Sequence, residues 1–270
     1  MLYALPPLAA EPIFQLGSFT ITNTYINSSI ALVLVLIAGL VLRNKSSELP
    51  GKAQNLAESI FETLLTYADR ITRDREKSIR FFPIVGSLFF FILISNWMGL
   101  LPGIGSIGVW QAHGGAIELI PLFRPANTDL NMTLAMAVLG VSLSHIVGIF
   151  TIGFFKYANR FIKIGDIWHA AKSLKPIAIM TAVIEFFVGL IEIISEFAKV
   201  ASLSLRLFGN IFAGEVLLTV IAGILAFAVP LPFMFLELLV GLIQAIVFSM
   251  LVLVYLTVAT TEIAPAHASH

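Results

Sequence analysis

The chain has 270 residues, 58% apolar and 12% charged, and its sixteen Lys/Arg are balanced by sixteen Asp/Glu. Soluble domains carry about 25% charged residues; the deficit and the long apolar runs exclude an ordinary soluble fold and predict an all-α, polytopic membrane protein. Zero net charge removes any electrostatic case for a nucleic-acid partner, and the lack of cysteine excludes disulfides and thiolate metal sites.

The first twenty residues hold Pro6, Pro7, Glu11 and Pro12 without a basic stretch, so a cleaved signal peptide is not expected. The apolar run 26–42 predicts a first membrane-spanning helix ending at Arg43. Residues 50–77 follow, with Leu56, Ile60, Leu64, Tyr67 and Ile71 at helical spacing and charges on the other face. That pattern predicts an amphipathic helix on the membrane surface, with a solvated connector as the alternative. A second span is predicted over 81–98, closing at Gly99–Gly103. A loop containing His113 and Glu118 leads to a third span over 131–155, and then to a basic loop ending at Lys175-Pro176. Residues 177–229 lack proline. Pro230-Leu231-Pro232 marks a turn, and a last helix is predicted over 233–260. The chain reads as one membrane domain, 1–270, with a disordered tail that includes His267 and His270.

Basic residues set the orientation. Arg43–Arg80 holds eight Lys/Arg and Lys156–Lys175 holds five, whereas the loop after the second span holds Arg124 alone. Both basic loops are expected in the cytoplasm, with the N-terminus outside and the C-terminus inside. The 177–229 segment is too long to stand upright: at 1.5 Å per residue it reaches about 75–80 Å, against a hydrocarbon core of about 30 Å. Either it crosses twice or it lies at a steep tilt. No turn is written within it, so a tilted helical hairpin with 233–260 is the preferred reading.

Glu185, Glu192, Glu196, Lys199, Arg206 and Asn210 all fall within about 80° on a helix of this segment, forming one polar stripe. Glu196 and Lys199 are spaced to neutralise each other. Arg206 is different. Glu196 is nearly three turns away, and Glu215, nine residues on, lies on the opposite side of the helix. Guanidinium does not discharge, and a central arginine costs about 2.5–3.5 kcal/mol on insertion scales. Two readings stand: an ion pair with a distant segment, Glu237 being the candidate, or a fixed cation facing a partner's carboxylate or a water-filled path. Glu237 and Gln244 share a face of the last helix. Antiparallel pairing brings Glu237 level with the region of Glu215 and Gln244 nearer to Arg206. Ser202, Ser204, Gly209, Ala213 and Gly214 permit close helix approach, by a partner or within the chain. Asp129 and Asn131 open the third span, Asp129 as an N-cap or as the mouth of an aqueous cavity. His145 lies inside that span.

These residues resemble subunit a of the F-type ATP synthase membrane sector. The likeness is strongest over Glu192–Glu215, with Leu203-Ser204-Leu205-Arg206-Leu207-Phe208-Gly209-Asn210 and Ala213-Gly214-Glu215 as its signature. It extends to Leu242-Ile243-Gln244, Asn96–Gly103 and Pro125–Asn131. The resemblance implies a stator beside a rotating ring of c subunits, tied to a b-subunit peripheral stalk and the other F0F1 subunits. It implies a multi-pass protein of a bacterial plasma membrane. Arg206 matches the essential arginine that separates two half-channels. Glu215 and Glu237 match acidic or histidine positions of the external half-channel, where Asp129, Asn131 and His145 are also placed. Asn210 and Gln244 are the polar partners of the arginine. Glu192, with Glu196 and Glu185, falls on the cytoplasmic side. No cofactor is expected, and no Gly-rich phosphate loop is present, so the chain itself makes no ATP. The alternative is a secondary transporter in which Arg206 binds an anionic substrate, a design that expects inverted repeats and broken helices.

Overall fold

The computed structural model describes residues 7, 9–45, 51–101, 107–113, 116–162, 176–224 and 229–261. The terminal histidines and most of the second basic loop, 163–175, lie outside the described residues. Two short strands, β1 (Pro12–Leu16) and β2 (Phe19–Thr22), pair antiparallel. Gly17 makes the turn at φ 65°, a left-handed conformation that costs glycine nothing. Helix α1 (Asn23–Lys45) follows directly, and α2 (Lys52–Thr72) ends at Arg73 in the left-handed region. Helix α3 (Arg75–Met98) starts on Asp74, whose side chain accepts from the Glu76 and Lys77 amides. A second hairpin, β3 (Gly108–His113) and β4 (Ala116–Pro121), precedes a 3-10 turn at Ala126–Thr128. Helices α4 (Leu130–Ile152), α5 (Phe154–Ile162), α6 (Pro176–Ile224) and α7 (Pro230–Thr260) complete the described chain.

Among the described residues five helices, α1, α3, α4, α6 and α7, are long and apolar enough to cross a membrane. Each outruns or shifts the apolar run that announces it. Helix α3 begins six residues before 81 because its charged first turn is capped by Asp74, which hydropathy does not see. The predicted third span is corrected: 131–155 is not one helix but breaks at Gly153, φ 96°, and the chain re-enters a separate helix α5. The second hairpin falls in the stretch read as a loop, and the first in N-terminal residues assigned no element. Pro230 and Pro232 do not form a free turn but occupy the first turn of α7, where the missing N–H is harmless.

Helix α7 is the centre of the bundle. Its Ala245, Phe248, Val252, Leu253 and Leu256 meet Val85, Phe89 and Ile92 of α3, Met136, Ala137 and Val141 of α4, and Leu203, Leu207 and Ile211 of α6 in one core. Between membrane helices such contacts hold by close van der Waals packing, since lipid tails are as apolar as these side chains. The α6 contribution is a narrow i, i+4, i+8 stripe. The rest of α6 exposes Val183, Phe187, Ile191, Ile194 and Phe197, each at least half exposed. A 49-residue helix is about 74 Å long, and one buried stripe holds it to the bundle.

Helix α2 is amphipathic and largely exposed, and part of its apolar face packs on the bundle. Its apolar residues divide between two environments. Leu64 and Ala68 are buried, Ile71 packs on the core, and Phe61 meets Phe82 and Phe90 edge-on. Leu56, Ile60 and Tyr67 remain exposed. Phe61, Leu64, Ala68 and Ile71 recur at three- and four-residue steps, which gives a protein-facing stripe beside the exposed one.

Candidate functional site

Helix α6 carries the charges at three levels. In the middle, Leu203, Leu207 and Ile211 turn inward, which leaves Arg206 and Asn210 on the outward face. Arg206 donates to Ser202 Oγ one turn earlier, 3.3 Å away. None of the ion pairs among the described residues includes it. Asn210 Nδ2 donates to Gln244 Oε1 of α7 at 2.9 Å. Gln244 is itself buried. The small residues divide. Ser204 and Gly214 face the bundle, whereas Ser202, Gly209 and Ala213 lie on the open face with Arg206. A Cβ added at Gly209 would touch nothing within 4 Å.

Towards the C-terminus of α6 lies the hairpin end, where β1, β2 and the starts of α1 and α4 converge. Glu215 is bound by Arg124: Nε donates to Oε1 at 2.9 Å and Nη2 to Oε2 at 2.9 Å. Arg124 is 2% exposed and also donates to the Ala9 and Pro7 carbonyls. Glu237 of α7 is buried against Gly214, and its Oε1 has no hydrogen-bond partner among the described residues. Glu237 is therefore not the counter-ion of Arg206. Asp129 caps α4, accepting from the Asn131 amide at 2.9 Å and from Thr24 Oγ1 at 3.3 Å. Asn131 itself is exposed. Around these groups Asn127 Nδ2 donates to Asn96 Oδ1 at 2.6 Å, and Asn27 Nδ2 donates to the Arg124 carbonyl at 2.8 Å. Asn27 Oδ1, Asn127 Oδ1 and Ser95 Oγ are buried without a hydrogen-bond partner among the described residues. Buried polar atoms seldom stay unpaired; such sites take water.

At the opposite end Glu196 bonds Lys199 Nζ at 2.7 Å. His145 Nε2 of α4 lies 3.4 Å from the other Glu196 oxygen. His145 Nδ1 is 2.7 Å from Tyr157 Oη, and Lys199 sits 5.1 Å over the Tyr255 ring. Glu192 and Glu185 are half-buried one and three turns earlier on α6. This corrects the grouping of His145 with Glu215 and Glu237. His145 is sixteen residues past Asp129, about 24 Å along α4, and belongs with Glu196.

Sequence reasoning did not single out Arg124, Asn27, Asn127, Tyr157 or Tyr255. The readable signal for Arg124 was its isolation, a single cation in an otherwise acid-and-apolar loop. The amides carry no such signal, since each is one of several polar residues clustered at the start of a spanning helix, 23–29 and 127–131.

Comparison with known proteins identifies the family of this chain. The family model described as ATP synthase A chain aligns with residues 25–257. The chain is 34% identical over 225 residues to an ATP synthase subunit a of Geotalea daltonii, covering 83% of this chain and 82% of that one. It is 31% identical over 233 residues to ATP synthase subunit a 1 of Syntrophotalea carbinolica, at 86% and 83% coverage. With the Geobacter sulfurreducens subunit a the identity is 32% over 244 residues, at 90% and 88% coverage. The outward arginine, the Asn210–Gln244 bond to the neighbouring helix and the carboxylates at either end sit in a chain that belongs to the ATP synthase A chain family.

Proposed function

We propose that this chain is the proton-translocating stator subunit of an F-type ATP synthase membrane sector, and that Arg206 is its working charge. The observation that carries the reading is the exposure of Arg206 on a face of small residues, with no anion among the described residues paired to it. A cation held in the membrane at a cost of a few kcal/mol needs a carboxylate, and that carboxylate comes from a ring of c subunits moving past the open face of α6. Protons reach the ring through the hairpin end, where buried polar atoms without protein partners mark a wet path. They neutralise a c-subunit carboxyl, and the neutral site turns into lipid at little cost where an ionised one could not. After nearly a full turn the proton leaves past Glu196, Glu192 and Glu185. Arg206 docks the anion and opposes direct proton passage between the two paths. Each charge crossing 100 mV supplies about 2.3 kcal/mol, so several protons drive each ATP made elsewhere in the complex.

The distribution of Lys/Arg supports an orientation with the hairpin end outside and the α2 end in the cytoplasm, and the likeness to bacterial subunits supports a bacterial plasma membrane. The b-subunit stalk is the expected stationary partner. Helix α6 runs unbroken past Arg206, unlike the unwound substrate sites of secondary transporters. The test is Arg206→Ala in the assembled complex reconstituted in vesicles. ATP-driven proton pumping is lost while the subunit stays inserted; retained pumping would sink the proposal.

A further inference from the structure

We propose that helix α5 sets the carboxylate on the exit side of the rotor: Tyr157 orients the His145 imidazole, and His145 holds Glu196 of α6 in place. Both are positioning residues, an assignment that rests on the stator reading above.

Helix α5 is seated by glycines. The positive φ of Gly153 ends α4, and α5 then packs back against it. A Cβ at Gly148 of α4 would meet Tyr157 Cε2 at 2.6 Å, and one at Gly189 of α6 would collide with the Phe161 carbonyl. Residues without a side chain let α5 approach both helices this closely. Tyr157 is buried as a result, and its hydroxyl ends 2.7 Å from His145 Nδ1. The Phe161 ring also meets the imidazole, edge-on with centroids 6.0 Å apart.

The imidazole in turn reaches Glu196. An ionised carboxylate only accepts, so the Nε2 that faces it at 3.4 Å carries the hydrogen. In the neutral ring Nδ1 is then an acceptor, and the Tyr157 hydroxyl donates to it. Lys199 bonds the other Glu196 oxygen at 2.7 Å. It stands on the same helix one turn on, so that pair moves with α6. Among the described residues His145 is the group that ties this carboxylate to a second helix. From α7 the Tyr255 ring lies 5.1 Å from Lys199 Nζ, and both Glu196 and Arg206 act on its hydroxyl. Glu192 stands one turn before Glu196 on α6. Glu196 is thus bracketed by α4, α6 and α7, with α5 behind the imidazole, and its side chain stays 17% exposed, within reach of water.

The experiment measures passive proton flow through F1-stripped inverted vesicles carrying the assembled sector, with pH varied separately on the two faces. Flow is normalised to the amount of this chain that co-purifies with the rotor ring. His145→Leu lowers flow roughly tenfold to a hundredfold, the scale of misplacing a working group. It moves the cytoplasmic-pH midpoint of flow by about one unit, the scale of one hydrogen bond to a charged group, and leaves the outer-pH midpoint in place. His145→Gln, whose amide still donates to Glu196 but does not titrate, stays within about threefold of the parent. Tyr157→Phe keeps the ring against Gly148 and removes the hydroxyl; it moves the same midpoint in the parent, yet changes flow by less than about twofold in the His145→Leu background, the non-additivity of residues acting in series. A merely loosened fold lowers flow at every pH and moves neither midpoint. An unmoved cytoplasmic midpoint, His145→Gln as slow as His145→Leu, or losses that multiply in the double variant overturn the proposal. If His145→Leu is not recovered with the ring, Tyr157→Phe decides, because it preserves the packing; an unmoved cytoplasmic midpoint then overturns the proposal. Arg206→Ala replaces none of these residues, so failure of the stator reading is seen separately.

Discussion

Arg124 and Arg206 are the same side chain in opposite circumstances. Arg124 is 2% exposed and makes an ion pair and two carbonyl bonds inside its own chain. Arg206 is exposed, and its bond is to a hydroxyl one turn away. A buried guanidinium is tolerated only when its neighbours satisfy it completely, so Arg124 is finished by the fold. Arg206 is left unfinished by the described fold, and in the proposed function a rotor carboxylate completes it. The contrast separates a charge that builds the protein from one that the protein presents.

The comparison breaks first on a crossed pair of substitutions. Arg124→Met strands Glu215 and destabilises the subunit by about 3–5 kcal/mol, read as its loss from membranes or a fall in melting temperature. Arg206→Met changes the stability of the isolated subunit by less than about 0.5 kcal/mol while abolishing coupled pumping. Equal destabilisation by both would erase the distinction.

Two glycines sharpen it next. Gly214→Ala drives a methyl into the Glu237 carboxyl and costs about 1–3 kcal/mol of overpacking. At Gly209 a methyl meets open space and gains up to about 1 kcal/mol of helix propensity, yet it thickens the face proposed for the rotor. Thermal melts of the two variants should therefore move in opposite directions, and slowed ATP-driven pumping should accompany the stabilised Gly209→Ala.

Smaller still is the Asn210–Gln244 bond, 2.9 Å long and half open. Gln244→Leu should cost about 1 kcal/mol and loosen α6 against α7 near Arg206, seen as faster amide exchange there. The smallest effect lies outside the membrane helices. Ser78 and Arg75 hold the Asp69 carboxyl below the ordinary carboxylate range. A group lowered on folding contributes stability above its unfolded value and loses it as pH falls through its folded value. Acid should therefore loosen the α2–α3 corner below the ordinary carboxylate range, and Asp69→Asn should remove that pH dependence from the melting temperature while lowering it at neutral pH.

Several features were legible without coordinates because a single local rule writes each. Apolar runs longer than a bilayer announce the spanning helices. The register of α6 against α7 follows from the Pro230–Pro232 break, and it places Gln244 opposite Asn210 and Glu237 near Gly214. The cap at Asp129 is a rule of the first helical turn. Other features were not legible for an equally physical reason. The break of α4 depends on one positive φ at Gly153. The docking of α2 depends on which of two adjacent stripes finds α3 and α7. The pairing of His145 with Glu196, across 51 positions of sequence, is set by where two helices cross, and neither helix's own pattern records that.

Taken alone, the order of residues determined that this chain spans a membrane, which helices do so, and that one arginine has no local anion. Those are statements about distances along a helix, and 1.5 Å per residue converts sequence into position directly. Only the tertiary structure decided that Arg124 closes on Glu215, that Glu237 is left unpaired, and that Arg206 faces outward. Each of those is a choice between competing long-range partners, settled by how the packed helices cross and by which side chains burial leaves within bonding distance.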